Sequence, residues 1–500
     1  MSEYVQARQP AGQLTPIFEL TCADLYATIC KMATPMQSQG LSTADVAAQA
    51  GVHRDTLLRW LREGVIPEPR RDRKGWRTFT THEADRIAHF AKLGTPNASD
   101  QSFEQSADLS ALDKIDWDFF DAKTAYLTHG LHPYPAKFIP QIPNALIQAL
   151  SSVGETVADI FCGSGTTLVE ALLLKRNAVG VDANPLACLI TQAKTTRLRP
   201  EDSGFLRSLA ERALAAADHA SGREQLALFA QPREEPIGST APPDAIRFWF
   251  NDFIIEELAD LKRWVWSSPS SQSLVLAKAA LSSIIVAVSR QDSDTRYVRR
   301  EKNLKPGDAY ARFGRSLTDA IAASQQFAEV VEERFSCTVV NANLLDTPST
   351  PFFDLVVCSP PYPNAYSYHL YHMTRMLWLE MDPYAFKKIE IGSHRKYSRK
   401  GPNKADVETF RSELRTILLW LHNRLRPSRF ACFVLGDSIL NGNKVNNAEV
   451  LASVAREAGF IEVKRIHRKL RESRKAFNPA YGKIKTEHIL ILQNRNREGA

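Results

Sequence analysis

The chain of 500 residues lacks the patterns that would place it in a membrane or in a disulfide-stabilised scaffold. It contains no Cys-x-x-Cys pair, and this spacing favours reduced thiols over disulfides or a zinc site. The N-terminus has no basic-then-apolar signal segment. The most apolar run, residues 274–288, is too short to span a bilayer and contains Lys278. We therefore expect a cytoplasmic protein with no membrane partner and no metal. Its seven cysteines are scattered at positions 22, 30, 162, 188, 337, 358 and 432.

Extreme charge is also missing. The net charge is +7, and the contents of 44% apolar and 24% charged residues are those of an ordinary globular protein. This modest excess of positive charge permits a polyanionic partner but does not require one. The length predicts two or three domains.

What the sequence does contain is a strand, a glycine turn and a helix in immediate succession. Residues 156–161 are predominantly apolar and predict a buried strand, Gly163-Ser164-Gly165 follows, and residues 166–175 have a helical pattern. Such a unit builds a nucleotide-type pocket at the carboxyl end of a parallel strand. Glycine lets the backbone approach a ligand closely. One turn of this kind is weak evidence by itself.

A second signal lies about twenty residues further on. Asp182 ends a second predicted strand, at the position where a carboxylate meets ribose hydroxyls in mononucleotide pockets. The alternative is that Asp182 only caps a helix that begins near Pro185. The position and the spacing favour the ribose role.

The third signal is Ser359-Pro360-Pro361-Tyr362, which follows an apolar strand at residues 354–358. Taken alone, it could be a rigid turn after a core strand. Residues 132–140 hold three prolines that force an extended path, so they form either an entry loop that packs aromatics or a wall of the pocket in front of Gly163.

Residues 39–94 predict two short helices joined by a glycine turn at Gly51, a basic hairpin and a third helix. This stretch resembles the DNA-binding domain of MerR-like regulators, which implies a winged helix-turn-helix. The alternatives are a small helical domain with a solvated basic face and a winged helix that contacts protein; the basic pattern favours DNA. The residues expected to contact DNA here are Arg54, Thr56, Arg59, Arg70, Arg71, Arg73 and Lys74.

Residues 130–495, apart from a helical insert, resemble the S-adenosylmethionine-dependent amino-methyltransferases of DNA. The resemblance is carried by residues 132–140, 159–167, 179–184 and 358–362. It implies an α/β fold with a Rossmann-like, seven-stranded class I methyltransferase core whose last strand is antiparallel. It implies S-adenosyl-L-methionine as cofactor, with Asp182 at the ribose, Asn184 near the adenine and Asp159 near the methionine end. The implied cofactor-binding residues are Phe138, Asp159, Phe161, Cys162, Gly163, Gly165, Thr166, Thr167, Asp182, Ala183 and Asn184.

The same resemblance makes Ser359, Pro360, Pro361 and Tyr362 the catalytic residues. Acceptors on Ser359 and the Pro360 carbonyl can take both N–H bonds of an exocyclic amino group, freeing its lone pair for direct methyl transfer. Tyr362 would stack on a base rotated out of the helix. C5-cytosine chemistry needs a thiolate just after a proline, whereas Cys358 precedes the prolines. In the family, serine at position 359 is commoner in cytosine-N4 enzymes than in adenine-N6 enzymes.

The predicted organisation has six segments. They are an N-terminal segment of unknown role (1–38), the MerR-like domain (39–94), a polar linker (95–112), the first part of the core (113–199), a helical insert (200–336) and the second part of the core (337–500). In the insert, a basic loop at residues 292–305 is about equally suited to be a nucleic-acid contact, through Arg296 and Arg299, and an ordinary surface. A single helix is expected at residues 366–379 and a mobile basic loop at 387–405.

The sequence thus predicts a site-specific methyltransferase of double-stranded DNA, of the cytosine-N4 type, in restriction-modification or phage defence. A partner nuclease or defence protein is compatible with this role. The rivals are an adenine-N6 enzyme, an RNA base methyltransferase and a regulator in which the methylase fold is not catalytic.

Overall fold

The computed structural model describes residues 41–62, 69–71, 75–80, 83–84, 87–88, 109–137, 139–222, 243–363, 366–398, 404–440, 442–470 and 486–495. The chain divides into two compact units, Met1–Gln105 and Ser106–Ala500. No helix in this described part of the chain is long and apolar enough to cross a membrane.

The first unit begins with two short helices, α1 (Thr43–Ala50) and α2 (Arg54–Arg62), joined by a turn at Gly51. Ser42 caps α1 through a capping box, and Gly51 ends it in the left-handed conformation, at φ +68°. Two short strands, β1 (Arg70–Arg71) and β2 (Arg77–Thr78), then pair antiparallel. The core of the unit contains Val46, Ala47, Ala50, Leu57, Trp60, Leu61, Phe79, Ala84, Ile87 and Ala88.

The predicted DNA contacts in this unit lie on its surface where the structure describes them. Arg54 and Arg59 on α2 and Arg70 and Arg71 on β1 are exposed, and Thr56 is half-buried. Arg73 and Lys74 lie outside the described residues. The DNA-binding role of the unit stays a prediction.

The second unit is built on a seven-stranded sheet in the order β12-β13-β9-β8-β3-β4-β7. β13 runs antiparallel to both of its neighbours, and the other adjacent pairs are parallel. This is the sheet that the family resemblance implies, with its antiparallel last strand. The strands are β3 (Thr156–Asp159), β4 (Asn177–Asp182), β7 (Cys337–Asn341), β8 (Phe353–Cys358), β9 (Leu425–Gly436), β12 (Phe460–Lys469) and β13 (Thr486–Asn494).

Helices cover both faces of this sheet because successive strand residues point to opposite sides. On β8, Val356 belongs to one apolar cluster, whereas Leu355 and Val357 belong to the other. The helices of this layer and of the segment after β8 are α3 (Gln141–Leu150), α4 (Thr166–Leu173), α5 (Pro185–Thr195), α11 (Tyr368–Tyr371), α12 (Met373–Trp378), α13 (Pro383–Ile389), α14 (His394–Ser398), α15 (Val407–Arg424) and α16 (Asn447–Glu457), with a small strand pair β10 (Ser438–Leu440) and β11 (Asn443–Val445).

Between β4 and β7 the chain builds a helical subdomain with its own apolar core. Large side chains such as Leu258, Leu281 and Phe313 are fully buried in it. Its elements are α6 (Pro200–Gly222), α7 (Pro243–Trp249), α8 (Asp252–Trp266), α9 (Ser271–Ile285), α10 (Asp308–Val330) and an antiparallel hairpin of β5 (Gln291–Ser293) and β6 (Arg296–Arg299).

Four local expectations were wrong. The basic segment 292–305 contains the hairpin β5–β6 and is not simply a loop. Residues 366–379 form two short helices with a break at His372, and 387–405 contains all of α14 and the end of α13. At the end of the predicted linker, residues 109–112 belong to a 3₁₀ helix (Leu109–Lys114) because Leu112 is buried in the core of the second unit.

Candidate active site

A cavity of about 380 Å³ lies at the carboxyl edge of the sheet, where β3, β4, β7 and β8 end. The carboxyl ends of parallel strands are where open α/β sheets bind ligands, and this volume suits a small organic molecule. The glycine turn after β3 and the proline pair after β8 both line it. The predicted site residues among its lining are Asp159, Phe161, Cys162, Gly163, Thr166, Asp182, Ala183, Asn184, Ser359, Pro360, Pro361 and Tyr362.

Two predicted cofactor residues are placed differently. Gly165 and Thr167 do not line the cavity. The Thr167 hydroxyl instead donates to the carbonyl of Val357, 3.1 Å away, and so ties the start of α4 to β8. Phe138 lies outside the described residues.

The two glycines of the turn have different tasks. Gly163, at φ +48°, lies against the entry segment, and a Cβ there would be 3.4 Å from Cε1 of Tyr134. Gly165, at φ +77°, lies against α5, where a Cβ would be 2.9 Å from both Oγ1 and Cγ2 of Thr191. Gly163 therefore lies in the cavity wall beside Tyr134. Gly165 has no side chain and so lets α4 and α5 approach each other closely.

Gly165→Ala is expected to destabilise the protein by roughly 2–5 kcal/mol, because left-handed strain adds to overpacking against Thr191. Gly154 is the matched control, since it also has positive φ, +88°, but has no atom within 4 Å of an added Cβ. Gly154→Ala should cost only about 1–2 kcal/mol. Urea unfolding of both variants checks this, and equal losses would contradict a role for the close contact.

Asp182 joins the glycine turn to the end of β4. One of its carboxylate oxygens accepts from the backbone N–H of Gly163 (2.9 Å), and the other accepts from that of Asn184 (2.8 Å). Burial raises the pKa of Asp182 to about 6, although these two N–H groups oppose the shift. Asn184, not Asp182, caps α5 by accepting from the N–H of Leu186 at 3.0 Å. The capping alternative for Asp182 is therefore wrong.

Asp159 is a second buried carboxylate in the cavity wall. It accepts from the backbone N–H of Phe161 at 3.1 Å. Burial raises its pKa to about 7, and the nearby charge of Asp182 contributes in the same direction. Two carboxylates held in one poorly solvated wall favour a ligand that carries positive charge.

The Ser359-Pro360-Pro361-Tyr362 turn is held in place by β8 and by the segment around Gly392. It leaves β8, whose residues are all buried. Gly392 packs against it, since a Cβ there would lie 2.9 Å from the Tyr362 carbonyl oxygen and 3.2 Å from Cβ of Pro361. The turn is thus held between the sheet and the segment that follows α13.

Sequence reasoning missed several cavity residues that come from distant parts of the chain. Glu390 lines the cavity and accepts from the backbone N–H of Tyr368 at 2.6 Å. Arg468 and Glu487, from β12 and β13, form an ion pair with 2.6 Å between Nη1 and Oε2, in which Arg468 is buried and Glu487 is partly buried. No spacing signal joins these residues to the glycine turn. The one available clue is that Glu487 lies in β13 just before the apolar run of that strand.

Comparison with known proteins gives matches to methyltransferases. Residues 54–193 match a family model described as DNA methylase. The chain is 41% identical over 87 residues to the type II methyltransferase M.MjaII of Methanocaldococcus jannaschii, which is 16% of each protein. It is 26% identical over 280 residues to M.MvaI of Kocuria varians, covering 53% of this chain and 60% of that one. Against M.BsoBI of Geobacillus stearothermophilus it is 23% identical over 373 residues, covering 65% and 68%.

The matched regions span 16% and 60% of the length of the first two relatives. These comparisons bear on the core that carries the glycine turn, because the family match includes β3, α4, β4 and most of α5. The similarity is to methyltransferases of DNA, and S-adenosyl-L-methionine is the cofactor expected for a protein of this kind.

Proposed function

We propose that this protein transfers a methyl group from S-adenosyl-L-methionine to an exocyclic amino group of a base in DNA. One observation carries the proposal: the glycine turn after β3 and the Ser359 to Tyr362 turn after β8 line the same cavity. The finer proposal is that the base is cytosine, methylated at N4, because position 359 is a serine. The type II methyltransferases among the relatives favour a role in restriction-modification.

The chemistry of the cavity wall fits the cofactor. Asp159 and Asp182 offer buried carboxylates to a molecule that carries a sulfonium and an ammonium group. The Nδ2 of Asn184 is buried and has no hydrogen-bond partner among the described residues, so it can donate to a ligand such as the adenine ring. Asp182 would hold the ribose hydroxyls, and Asp159 would lie near the methionine end.

The bound cofactor would supply an activated methyl group. The protein must make a poor nucleophile reactive, because the amino lone pair of the base is delocalised into its ring. Ser359 and the Pro360 carbonyl would accept the two N–H bonds and free that lone pair, and the proline pair limits the movement of the carbonyl. Tyr362 would stack on the base after it leaves the helix.

Transfer to C5 of cytosine would need a thiolate at the active site. Cys358 is fully buried within β8, and burial raises the pKa of its thiol well above the usual value. A thiol that stays protonated and faces the sheet core is unsuited to attack a base, which favours transfer to an amino group.

Cofactor affinity is expected to fall as the pH decreases through the pKa values of Asp159, about 7, and Asp182, about 6. Protonation removes the negative charge that favours the cationic ligand, so the loss should approach tenfold per pH unit for each group below its pKa. The folding stability of the cofactor-free protein should depend on pH in the opposite direction. Because burial raises both pKa values from 3.8 to about 7 and about 6, these groups stabilise the folded state at low pH and lose that contribution progressively as the pH rises from 3.8 to those raised values.

Calorimetric titration of the cofactor between pH 8 and pH 5 measures this dependence. The control is Asp182→Asn, which cannot ionise and should lose the step near pH 6. The remaining step, from Asp159, should lie below its wild-type position, because the charge of Asp182 no longer raises the pKa of Asp159. An affinity that does not change with pH in the wild type would contradict the proposed contact with both carboxylates.

The decisive test of function is base-resolved sequencing of genomic DNA after expression in a host without its own DNA methylation. Modified cytosine N4 at a defined sequence is the expected result, and Ser359→Ala supplies the inactive control. Modification of adenine N6 would show that adenine, and not cytosine, is the target base. Modified RNA with unmodified DNA would show that RNA is the substrate. Cofactor binding without any methyl transfer would favour a non-catalytic regulator.

A further inference from the structure

The helical subdomain carries a run of basic side chains that the catalytic residues do not use. We call it the basic track and define it as Arg296, Arg299 and Arg300 on and beside the hairpin β5–β6, Lys302 after it, and Arg312 and Arg315 on α10. Residues 290–305 contain six basic and three acidic side chains, so the segment carries net positive charge. A surface of this kind attracts a polyanion.

The arginines of the hairpin are accessible to a partner. The exposed fractions of the Arg296, Arg299 and Arg300 side chains are 45%, 43% and 72%. Arg299 pairs with Glu301, whose side chain is 67% exposed, and an exposed pair of this type contributes little energy. Arg296 and Arg300 pair with Asp292, whose side chain is 12% exposed. Phosphate oxygens can therefore replace Glu301 as the partner of Arg299 at small cost, and they can be added to the Asp292 pairs of Arg296 and Arg300, because a guanidinium carries several N–H donors.

Beyond the hairpin the track enters an open groove. One wall of the groove is α10 with Arg312, Arg315 and Asp319, and another is the segment 125–133 that leads to Tyr134 in the active-site cavity. Lys302 joins hairpin and groove, since its Nζ donates to the carbonyl of Val286 at 2.6 Å. Burial lowers the pKa of Lys302, and the nearby charges of Arg312 and Arg300 add to this effect.

The hairpin is fixed to the chain segment just beyond the catalytic turn. The Nε2 of Gln291 donates to the Tyr371 carbonyl at 3.1 Å, and its Oε1 accepts from the Thr374 hydroxyl at 3.0 Å. The buried Arg375 donates to Asp294 at 2.5 Å. The same segment contributes Tyr368 to the cavity. The basic track is thus held in a fixed position relative to the site of methyl transfer.

We propose that the basic track binds the sugar–phosphate backbone of duplex DNA beside the target base and so positions that base for the cavity. This inference rests on the proposed function. Exposed arginines spread over a hairpin and a groove suit a row of phosphates better than a single anion, because duplex DNA carries one charge per ~1.7 Å of helix axis. The Arg299 guanidinium lies 5.1 Å from the centre of the Phe248 ring, which restricts its orientation.

The test compares three variants of the full chain. Arg296→Gln, Arg299→Gln and Arg300→Gln are combined in the first, and Arg312→Gln and Arg315→Gln in the second. The control combines Arg411→Gln, Arg415→Gln and Arg456→Gln on α15 and α16, where Arg411 and Arg415 also pair with a carboxylate, that of Glu457. Melting temperature and S-adenosyl-L-methionine affinity confirm that each variant is folded.

The salt dependence of duplex binding is then measured by fluorescence anisotropy, and KM and kcat are measured with the same duplex. Each lost phosphate contact should reduce the slope of log K against log salt by about 1, so the first variant should lose about 3 and the second about 2. KM should rise about tenfold or more in both, with kcat at saturating DNA unchanged. The control should match the wild type.

Wild-type KM and salt slope in both track variants would overturn the inference. Equal losses in the control would overturn it too, since they would indicate a general charge effect. These outcomes are distinct from failure of the proposed function, in which the wild type itself would transfer no methyl group to DNA.

Discussion

Ser359→Ala is expected to reduce kcat for methyl transfer to DNA by about 10²–10³-fold while leaving the affinity for S-adenosyl-L-methionine unchanged. Losses of this size follow removal of one fixed group that stabilises the charge developing in a transition state. Ser359 directly follows β8, a fully buried strand, and lines the cavity, so its position is set by the sheet. The alanine variant keeps that position and removes only the hydroxyl.

Single-turnover methylation of a duplex, with cofactor binding measured in parallel, checks this expectation. Ser359→Asn restores a hydrogen-bond acceptor at the same position and should recover part of the lost rate. Full activity of Ser359→Ala would show that the hydroxyl takes no part in the reaction and would remove the central catalytic assignment.

Tyr362 provides an independent check on the same turn. Tyr362→Ala should lower kcat strongly because stacking on an extruded base is worth about 1–3 kcal/mol. Tyr362→Phe keeps the ring and should stay close to the wild type. If the phenylalanine variant were as inactive as the alanine variant, the hydroxyl and not the ring would be the important group.

The parts of the site that sequence could predict are those contained in one short stretch of chain. A strand, its turn and the next residues are adjacent in sequence, and parallel strands bring their carboxyl ends to one edge of the sheet. Gly163, Asp182 and Ser359 could therefore be placed together before any coordinates were known, and they line one cavity. The seven-stranded sheet followed from the family resemblance and not from spacing.

The parts that sequence could not predict depend on packing between distant segments. Glu390 reaches the cavity because it binds the backbone of Tyr368, and Arg468 does so because it pairs with Glu487 across two strands. The basic composition of residues 292–305 predicts a loop where the structure has the hairpin β5–β6. The hairpin is anchored by Gln291, which is fully buried through contacts with α11 and α12 that no local pattern encodes.

Gly165 illustrates a finer limit. The sequence predicts that both glycines of the turn contact the ligand, because glycine allows positive φ and also a close approach of the backbone to a bound molecule. In the structure both have positive φ, but the space beside Gly165 is filled by Thr191. Which of two neighbouring glycines faces a ligand depends on the helix packed behind the turn, and that helix begins some twenty residues later.

Asp182→Ala is expected to have the second large effect, a loss of affinity for the cofactor. The variant removes the proposed ribose contact and also the acceptor that holds the Gly163 and Asn184 N–H groups, 2.9 and 2.8 Å away. Hydrogen bonds to a charged group contribute about 1.5–3 kcal/mol each. The affinity for S-adenosyl-L-methionine should therefore fall by about 10²-fold or more, whereas kcat at saturating cofactor should change much less.

Asp346→Ala is the matched control, because Asp346 is an exposed aspartate in the 3₁₀ helix (Leu344–Asp346) that follows β7 and does not line the cavity. It should bind the cofactor as the wild type does. Asp182→Asn keeps an acceptor for one N–H group and should lie between the alanine variant and the wild type in affinity. If Asp182→Ala kept the wild-type affinity but had a reduced kcat, the Asp182 carboxylate would act in the reaction and not in cofactor binding. Another residue of the cavity wall would then have to contact the ribose.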